Sequence, residues 1–311
     1  MVKIGLAPMA GYTDRAFRTV CSKWGADFVF SEMVSTKGFL MGSLKTVDLL
    51  PFPEEGNVAV QIFGNETEEL SKAAEILSER YSWIDLNAGC PVKKVVRKGA
   101  GGGLLRDLAK FREIVRAVRK SVKCKFSVKT RLGWNKNDVV EIYRILVEEG
   151  VDEVFIHART VVQGFSGKAN WKSLSVLDKK IPTFVSGDIF TPENAKEALE
   201  ESGCQGILVA RGAIGRPWIF KQIRDFLQHG TYSEPSLKDI LATLNEHIDL
   251  LIKEKGERGA AKEIRKFLAG YTKGLEGARR FRDEAMKIED ICNLKQAIYK
   301  FFVRKAEKIS F

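Results

Sequence analysis

Phe126-Ser127-Val128-Lys129, the stretch Asp138–Glu149 and Glu153-Val154-Phe155-Ile156-His157 read in order as strand, amphipathic helix and strand, and this unit decides the fold. The two short runs are nearly continuous in hydrophobicity, as parallel strands buried on both faces are. The same alternation extends in both directions. Strands are predicted at Ile4–Ala7, Phe28–Ser31, Val58–Ile62, Trp83–Leu86, Thr183–Ser186 and Gly206–Ala210, and helices at Thr13–Trp24, Glu66–Glu79, Leu108–Lys120 and Pro192–Glu201. Thr191-Pro192 opens the last of these helices with an N-cap threonine and a proline at the first helical position. Eight β/α units in about 230 residues have the size of a TIM (β/α)₈ barrel. A doubly wound open sheet shares that periodicity and stands as the structural alternative.

The pattern changes after Phe226. Residues 228–236, Gln-His-Gly-Thr-Tyr-Ser-Glu-Pro-Ser, carry turn chemistry without apolar period. Beyond them only helical patterns remain, at Leu237–Glu254, Ala260–Thr272 and Asp290–Ala306. The expected architecture is an α/β barrel over residues 1–230, followed by a small all-helical C-terminal domain over 236–311.

With 51 Lys and Arg against 40 Asp and Glu, the chain carries +11, a balance suited to a polyanionic partner. Between Gly259 and Arg282 stand seven basic residues (Lys262, Arg265, Lys266, Lys273, Arg279, Arg280, Arg282) and two acidic ones, a candidate phosphate-contacting surface or a solvated helix face. The five cysteines are scattered, as are His157, His229 and His247, so neither a disulfide framework nor a metal site is expected. The opening apolar run is too short for a signal peptide and no stretch approaches the ~20 apolar residues of a membrane span. A cytoplasmic monomer is the expectation, with no membrane partner.

In a barrel of this kind, residues at the C-terminal ends of the strands build the site. Those positions hold Pro8-Met9-Ala10, Gln61, Asn87 and Cys90, Lys129 and Arg131, His157 and Arg159, Ser186-Gly187-Asp188, and Ala210-Arg211-Gly212. The last two groups fit phosphate, since glycines admit close backbone approach and Arg211 adds a charged donor, with a simple glycine turn at both places as the alternative. Gly101-Gly102-Gly103 lacks the spacing of a dinucleotide fingerprint and reads as a flexible loop at the site. Cys90 sits in a Gly/Pro loop past a strand end and is the catalytic candidate, able to act as acid or nucleophile. Cys21, Cys124, Cys204 and Cys292 read as small core hydrophobes.

The motifs Ala7-Pro8-Met9-Ala10-Gly11-Tyr12-Thr13-Asp14, Asp85-Leu86-Asn87-Ala88-Gly89-Cys90-Pro91, Lys129-Thr130-Arg131-Leu132-Gly133, His157-Ala158-Arg159-Thr160, Ser186-Gly187-Asp188-Ile189 and Ala210-Arg211-Gly212-Ala213-Ile214-Gly215-Arg216-Pro217-Trp218 occur in that order. Together they resemble the tRNA-dihydrouridine synthases. The family pattern has Gly at Ala158, Asn at Ser186 and Gly at Ala210, and His and Trp where Phe267 and Gly270 stand. The resemblance implies FMN over the barrel mouth, with Pro8, Met9 and Ala10 against the ring, Gln61 and Lys129 at its edge, and His157 touching flavin or substrate. Ser186, Gly187, Asp188, Ala210 and Arg211 would hold the ribityl and phosphate. It further implies NADPH (or NADH) as reductant and uridine in tRNA as substrate, with hydride delivered to C6, Cys90 protonating C5, and Asn87, Arg131 and Arg159 contacting the substrate. Two rivals stand beside it: an FMN barrel oxidoreductase acting on a free pyrimidine, and a non-catalytic RNA-binding protein that has kept the barrel.

Overall fold

The computed structural model describes residues 2–52 and 55–309. Its centre is a closed barrel of parallel strands: β1 (Lys3–Leu6), β2 (Phe28–Phe30), β3 (Val58–Phe63), β4 (Trp83–Ala88), β5 (Lys125–Arg131), β6 (Glu153–His157), β7 (Thr183–Ser186) and β8 (Gly206–Val209). Each pairs with the next, and β8 returns to β1 in the register Lys3↔Gly206 to Leu6↔Val209. Closure removes the open-sheet alternative. A two-residue strand, Val34–Ser35, extends the line of β2 and pairs with Ile62 and Phe63 of β3.

The predicted strands all form, but β4 and β5 run two residues further than expected. Their ladder continues from Trp83↔Lys125 to Ala88↔Thr130. Asn87, Lys129 and Arg131 therefore lie within strands, not beyond them. A polar side chain does not end a strand whose backbone groups still find partners.

Helices cover the outer faces where their caps predict. Asp14 accepts from the Phe17 N–H to start Arg15–Lys23, Asp107 starts Leu108–Ser121, and Thr191 starts Pro192–Ser202, which ends on the left-handed Gly203. Inside the barrel's lower half, Phe28, Phe30, Trp83, Phe155 and Phe184 form a closed aromatic layer with Ala7, Ala59 and Leu208. Phe28 and Phe155 each meet the other four rings, Phe155 lying 4.7 Å from Phe184 and 5.1 Å from Phe30.

After Ile219–His229 and its Gly230 cap, the tail begins at a capping box formed by Ser236 and Asp239. The helix Leu237–Ile264 is broken by a non-helical Gly256, and Leu268–Tyr271, Ala278–Ala285 and Ile291–Ile309 follow. The tail shares one hydrophobic core with the barrel. Phe17 packs between His247 and Phe267 (centroids 5.8 and 4.8 Å), and Trp24 donates to Thr243 across the seam. Gly270 is fixed by close approach, since a Cβ there would lie 2.0 Å from the Ile214 carbonyl oxygen. No helix among the described residues is long and apolar enough to cross a membrane.

Candidate active site

The C-terminal ends of the strands surround a cavity of about 410 Å³, within the ~300–1,000 Å³ of small-molecule sites. Pro8, Met9 and Ala10 line it after β1, Gln61 from β3, Asn87 and Cys90 from β4 and its loop, and Lys129 and Arg131 from β5. His157, Ser186, Gly187, Asp188, Ala210 and Arg211 complete the far wall.

Arg159 stands apart from the other predicted residues. It is 2% exposed and lies behind the wall, donating to Asp188 at 2.5 Å and to the carbonyls of Ser166 and Gly167. Arg131, which does line the cavity, commits its guanidinium to the carbonyls of Gly89, Thr160 and Gly164. Both arginines thus fasten the loop over residues 160–167, which carries Phe165 at the mouth. Asp188, in the left-handed region at φ 54, joins Arg159 to Arg211. Burial works to raise its carboxyl, but the hydrogen bonds from Arg159 and the Ala169 N–H outweigh it and hold the carboxyl below its ordinary value.

Asn87 Oδ1 accepts from the N–H groups of Gly89 (3.1 Å) and Cys90 (2.9 Å), so a strand residue holds the cysteine loop in place. Burial pushes the half-buried Cys90 thiol up, against the pull of the Val92 N–H, Lys129 and Arg131. The thiol therefore keeps its proton at neutral pH. Burial brings Lys129 down to about 8, with Arg131 adding to the effect and Asp85 opposing it. His157 is held well below its usual range by burial and then by Arg131 and Lys129, so it is neutral.

Three expectations are corrected here. Gly101–Gly103 is not a flexible loop but the start of a buried 3₁₀ turn, Gly101–Arg106, behind the cysteine. The Gly102 N–H donates to the Cys90 carbonyl at 3.0 Å, and a Cβ on Gly102 would lie 2.7 Å from Val161. Cys292 is exposed and is not a core hydrophobe, and Cys124 is only half-buried; Cys21 and Cys204 are buried. Sequence reasoning also passed over Met33, Tyr12, Phe165 and Phe190, all of which line the cavity. Met33 follows β2, and the strand-end rule applied to that strand finds it.

The model of the family described as Dihydrouridine synthase (Dus) matches residues 5–306. A probable tRNA-dihydrouridine synthase of Treponema pallidum is 35% identical over 312 residues, covering 92% of each chain. The tRNA-dihydrouridine synthase B of Pseudomonas aeruginosa is 35% identical over 307 residues, covering 96% of this chain and 92% of its own. Among solved structures, histamine dehydrogenase from Rhizobium sp. 4-9 superposes with a TM-score of 0.51 at 11% identity, over 80% of this chain and 49% of that one, a likeness of fold. With a match along nearly its whole length, the chain belongs to the dihydrouridine synthase family, the flavin-dependent oxidoreductases that modify tRNA.

Proposed function

We propose that this chain reduces the C5–C6 double bond of specific uridines in tRNA, with FMN as its flavin, NADPH (or NADH) as reductant and Cys90 as proton donor, acting as a cytoplasmic monomer. The observation that carries the reading is the presence of Lys129 and Cys90 on the wall of one cavity. Lys129 makes no ion pair or hydrogen bond among the described residues, while the Cys90 thiol is kept protonated by burial.

The residues present fit a flavin. Pro8, Met9, Ala10 and Leu208 supply apolar surface for a flat ring. An unpaired lysine suits the electron-rich edge of that ring. Arg211 is about half-exposed at the cavity wall beside Gly187, where a phosphate would need a charged donor. Bound FMN would supply hydride to uracil C6 after reduction by NADPH. At pH 7 Lys129 carries its charge, because its pKa of about 8 lies above that pH. His157, neutral, offers one ring N–H and one lone pair without adding charge. Cys90 gives the proton on Sγ to C5, and Asn87 sets where that sulfur lies by holding the backbone at its base.

Of the seven basic residues between Gly259 and Arg282, Lys262, Lys273 and Arg279 are exposed with no side-chain ion pair or hydrogen bond among the described residues, whereas Arg265, Lys266 and Arg282 hydrogen-bond within the protein and Arg280, 89% exposed, pairs with Glu284. The three unengaged cations are the candidates for tRNA phosphates. The deciding experiment is single-turnover reoxidation of the reduced holoenzyme by tRNA. Cys90→Ala is expected to retain flavin and accept hydride from NADPH, yet reoxidise far more slowly. Reoxidation at the wild-type rate removes Cys90 from the mechanism, and turnover on free uridine without tRNA overturns the substrate assignment.

A further inference from the structure

A chain of hydrogen bonds runs from the barrel interior to the backbone of Cys90, and its direction is fixed at both ends. Trp83 Nε1 donates to Ser127 Oγ at 2.9 Å, and Ser127 donates to Asp85 Oδ1 at 2.6 Å. From the other side, the Cys90 N–H donates to Asn87 Oδ1 at 2.9 Å and Asn87 Nδ2 donates to Gln61 Oε1 at 2.8 Å. Gln61 Nε2 then donates to Asp85 Oδ2 at 2.7 Å. An indole N–H and a backbone N–H can only donate. Every bond in the chain therefore points inward, and they meet at Asp85. Such a chain closes only if one member accepts from both sides, and an ionised carboxylate does this where an amide cannot.

We propose that Asp85 is a positioning residue for the reaction: as the acceptor-only member of this chain it fixes which way the Gln61 and Asn87 amides face, and through Asn87 it holds the Cys90 loop. Asp85 is fully buried. A buried carboxyl is costly, and burial pushes this one up to about 7 despite the bonds from Ser127 and Gln61 and the nearby Lys129. Asparagine would fill the same volume at lower cost but would break the logic. In Asp85→Asn the new amide keeps its oxygen toward the Ser127 hydroxyl and turns its nitrogen toward Gln61. Gln61 must then turn its oxygen to that nitrogen, Asn87 must turn its oxygen to Gln61, and the Asn87 amide nitrogen faces the Cys90 N–H. The donor–donor clash is driven outward to the cysteine loop. Moving the carboxylate one link outward, as Asp85→Asn with Gln61→Glu, restores every bond. The amide at position 85 accepts from Ser127 and donates to the carboxylate at position 61, which also accepts from Asn87.

The catalytic consequence rests on the proposed acid role of Cys90; the loop geometry does not. The test is iodoacetamide alkylation of the flavin-loaded, full-length protein at pH 8, where Asp85 is ionised. Labelling of the Cys90 peptide is followed by mass spectrometry relative to that of the exposed Cys292. Asp85→Asn is expected to speed Cys90 labelling by about two- to tenfold, the scale of one lost hydrogen bond. The double variant should return it to within about twofold of wild type. If Asp85→Asn yields no folded protein, recovery of folded protein in the double variant is the same rescue. Unchanged labelling in Asp85→Asn, or failure of the double variant to restore either labelling or folding, overturns the proposal. Because labelling reads the loop alone, a Cys90→Ala enzyme that still reduces uridine would sink the acid assignment and leave this one standing.

Discussion

The two ends of the barrel are made from the same strands and the same inward face, yet differ in chemistry and meet through one hydrogen bond, from Trp83 to Ser127. In β4, Trp83, Asp85 and Asn87 follow one another at a spacing of two, in β6 Phe155 and His157, and in β7 Phe184 and Ser186. Alternate residues of a strand share a face. In β6 and β7 one step of two residues thus crosses from an aromatic seal to the wall of the cavity, and in β4 two steps do, with Asp85 between. The lower layer needs shape alone, because its rings have no polar partners to satisfy apart from the Trp83 N–H, which Ser127 accepts. The upper layer needs direction: its amides, carboxylate and cations work only in one orientation. The difference teaches that stability and chemistry can be separated by ~7 Å along a strand, and that substitutions on either side should fail in different ways.

The largest effect is expected at the top. Cys90→Ala should lower the single-turnover rate of uridine reduction by ~10²–10⁴, the contribution of a positioned general acid, with the thermal midpoint little changed. Phe155→Ala should do the opposite, costing ~3–5 kcal/mol in denaturant unfolding while sparing turnover per folded molecule. A Phe155→Ala enzyme that folds fully but turns over as slowly as Cys90→Ala would erase the distinction between the two ends.

A pH dependence sharpens it. The folded-state pKa of Asp85, about 7, lies above that of an ordinary carboxylate, near 4. Between those values the native chain holds a proton that the unfolded chain has released. This contribution to stability is full below about pH 4 and is lost as pH rises through about 7. The urea midpoint of wild type, measured relative to Asp85→Asn, should therefore fall between pH 5 and pH 8. A difference that stays flat would mean that the carboxyl is ionised throughout.

Two smaller effects lie outside the barrel. Replacing Lys262, Lys273 and Arg279 together by Glu should make the dependence of log tRNA affinity on log salt shallower by about 2–3, near one per phosphate contact. An unchanged slope would mean that this face does not meet the backbone. Smallest of all, Cys292→Ala should alter stability by no more than ~0.5 kcal/mol, a result that a buried thiol would not give.

Most of the barrel was legible because parallel strands buried on both faces leave long apolar runs, and caps such as Thr191-Pro192 mark where helices begin. The candidate site was legible by position, since strand ends gather at one mouth. What stayed hidden depended on partners distant in sequence. Arg159 stands at a strand end like its neighbours, but Asp188, 29 residues later, draws its guanidinium behind the wall. Asp85 reads as one polar residue in a strand until Gln61 and Ser127 are seen on the strands beside it. The helix Ala278–Ala285 was missed because only Phe281 and its flanking alanines mark a buried side among charged residues. The glycine triplet misled because glycine permits both mobility and close packing, and only the proximity of Val161 and Cys90 decides between them.

The seam between barrel and tail also sets an order of events during synthesis. Lys266 donates to the carbonyl of Gly11 at 3.2 Å, and Lys255 pairs with Asp14 at 2.6 Å, joining residues 255 and 241 positions apart. Gly11 and Asp14 belong to the loop that begins with Pro8, Met9 and Ala10, and their partners are translated 255 and 241 residues later. The wall of the cavity that this loop builds must therefore wait for those contacts until the tail has been made, and a nascent chain stalled within the barrel would present the loop without them.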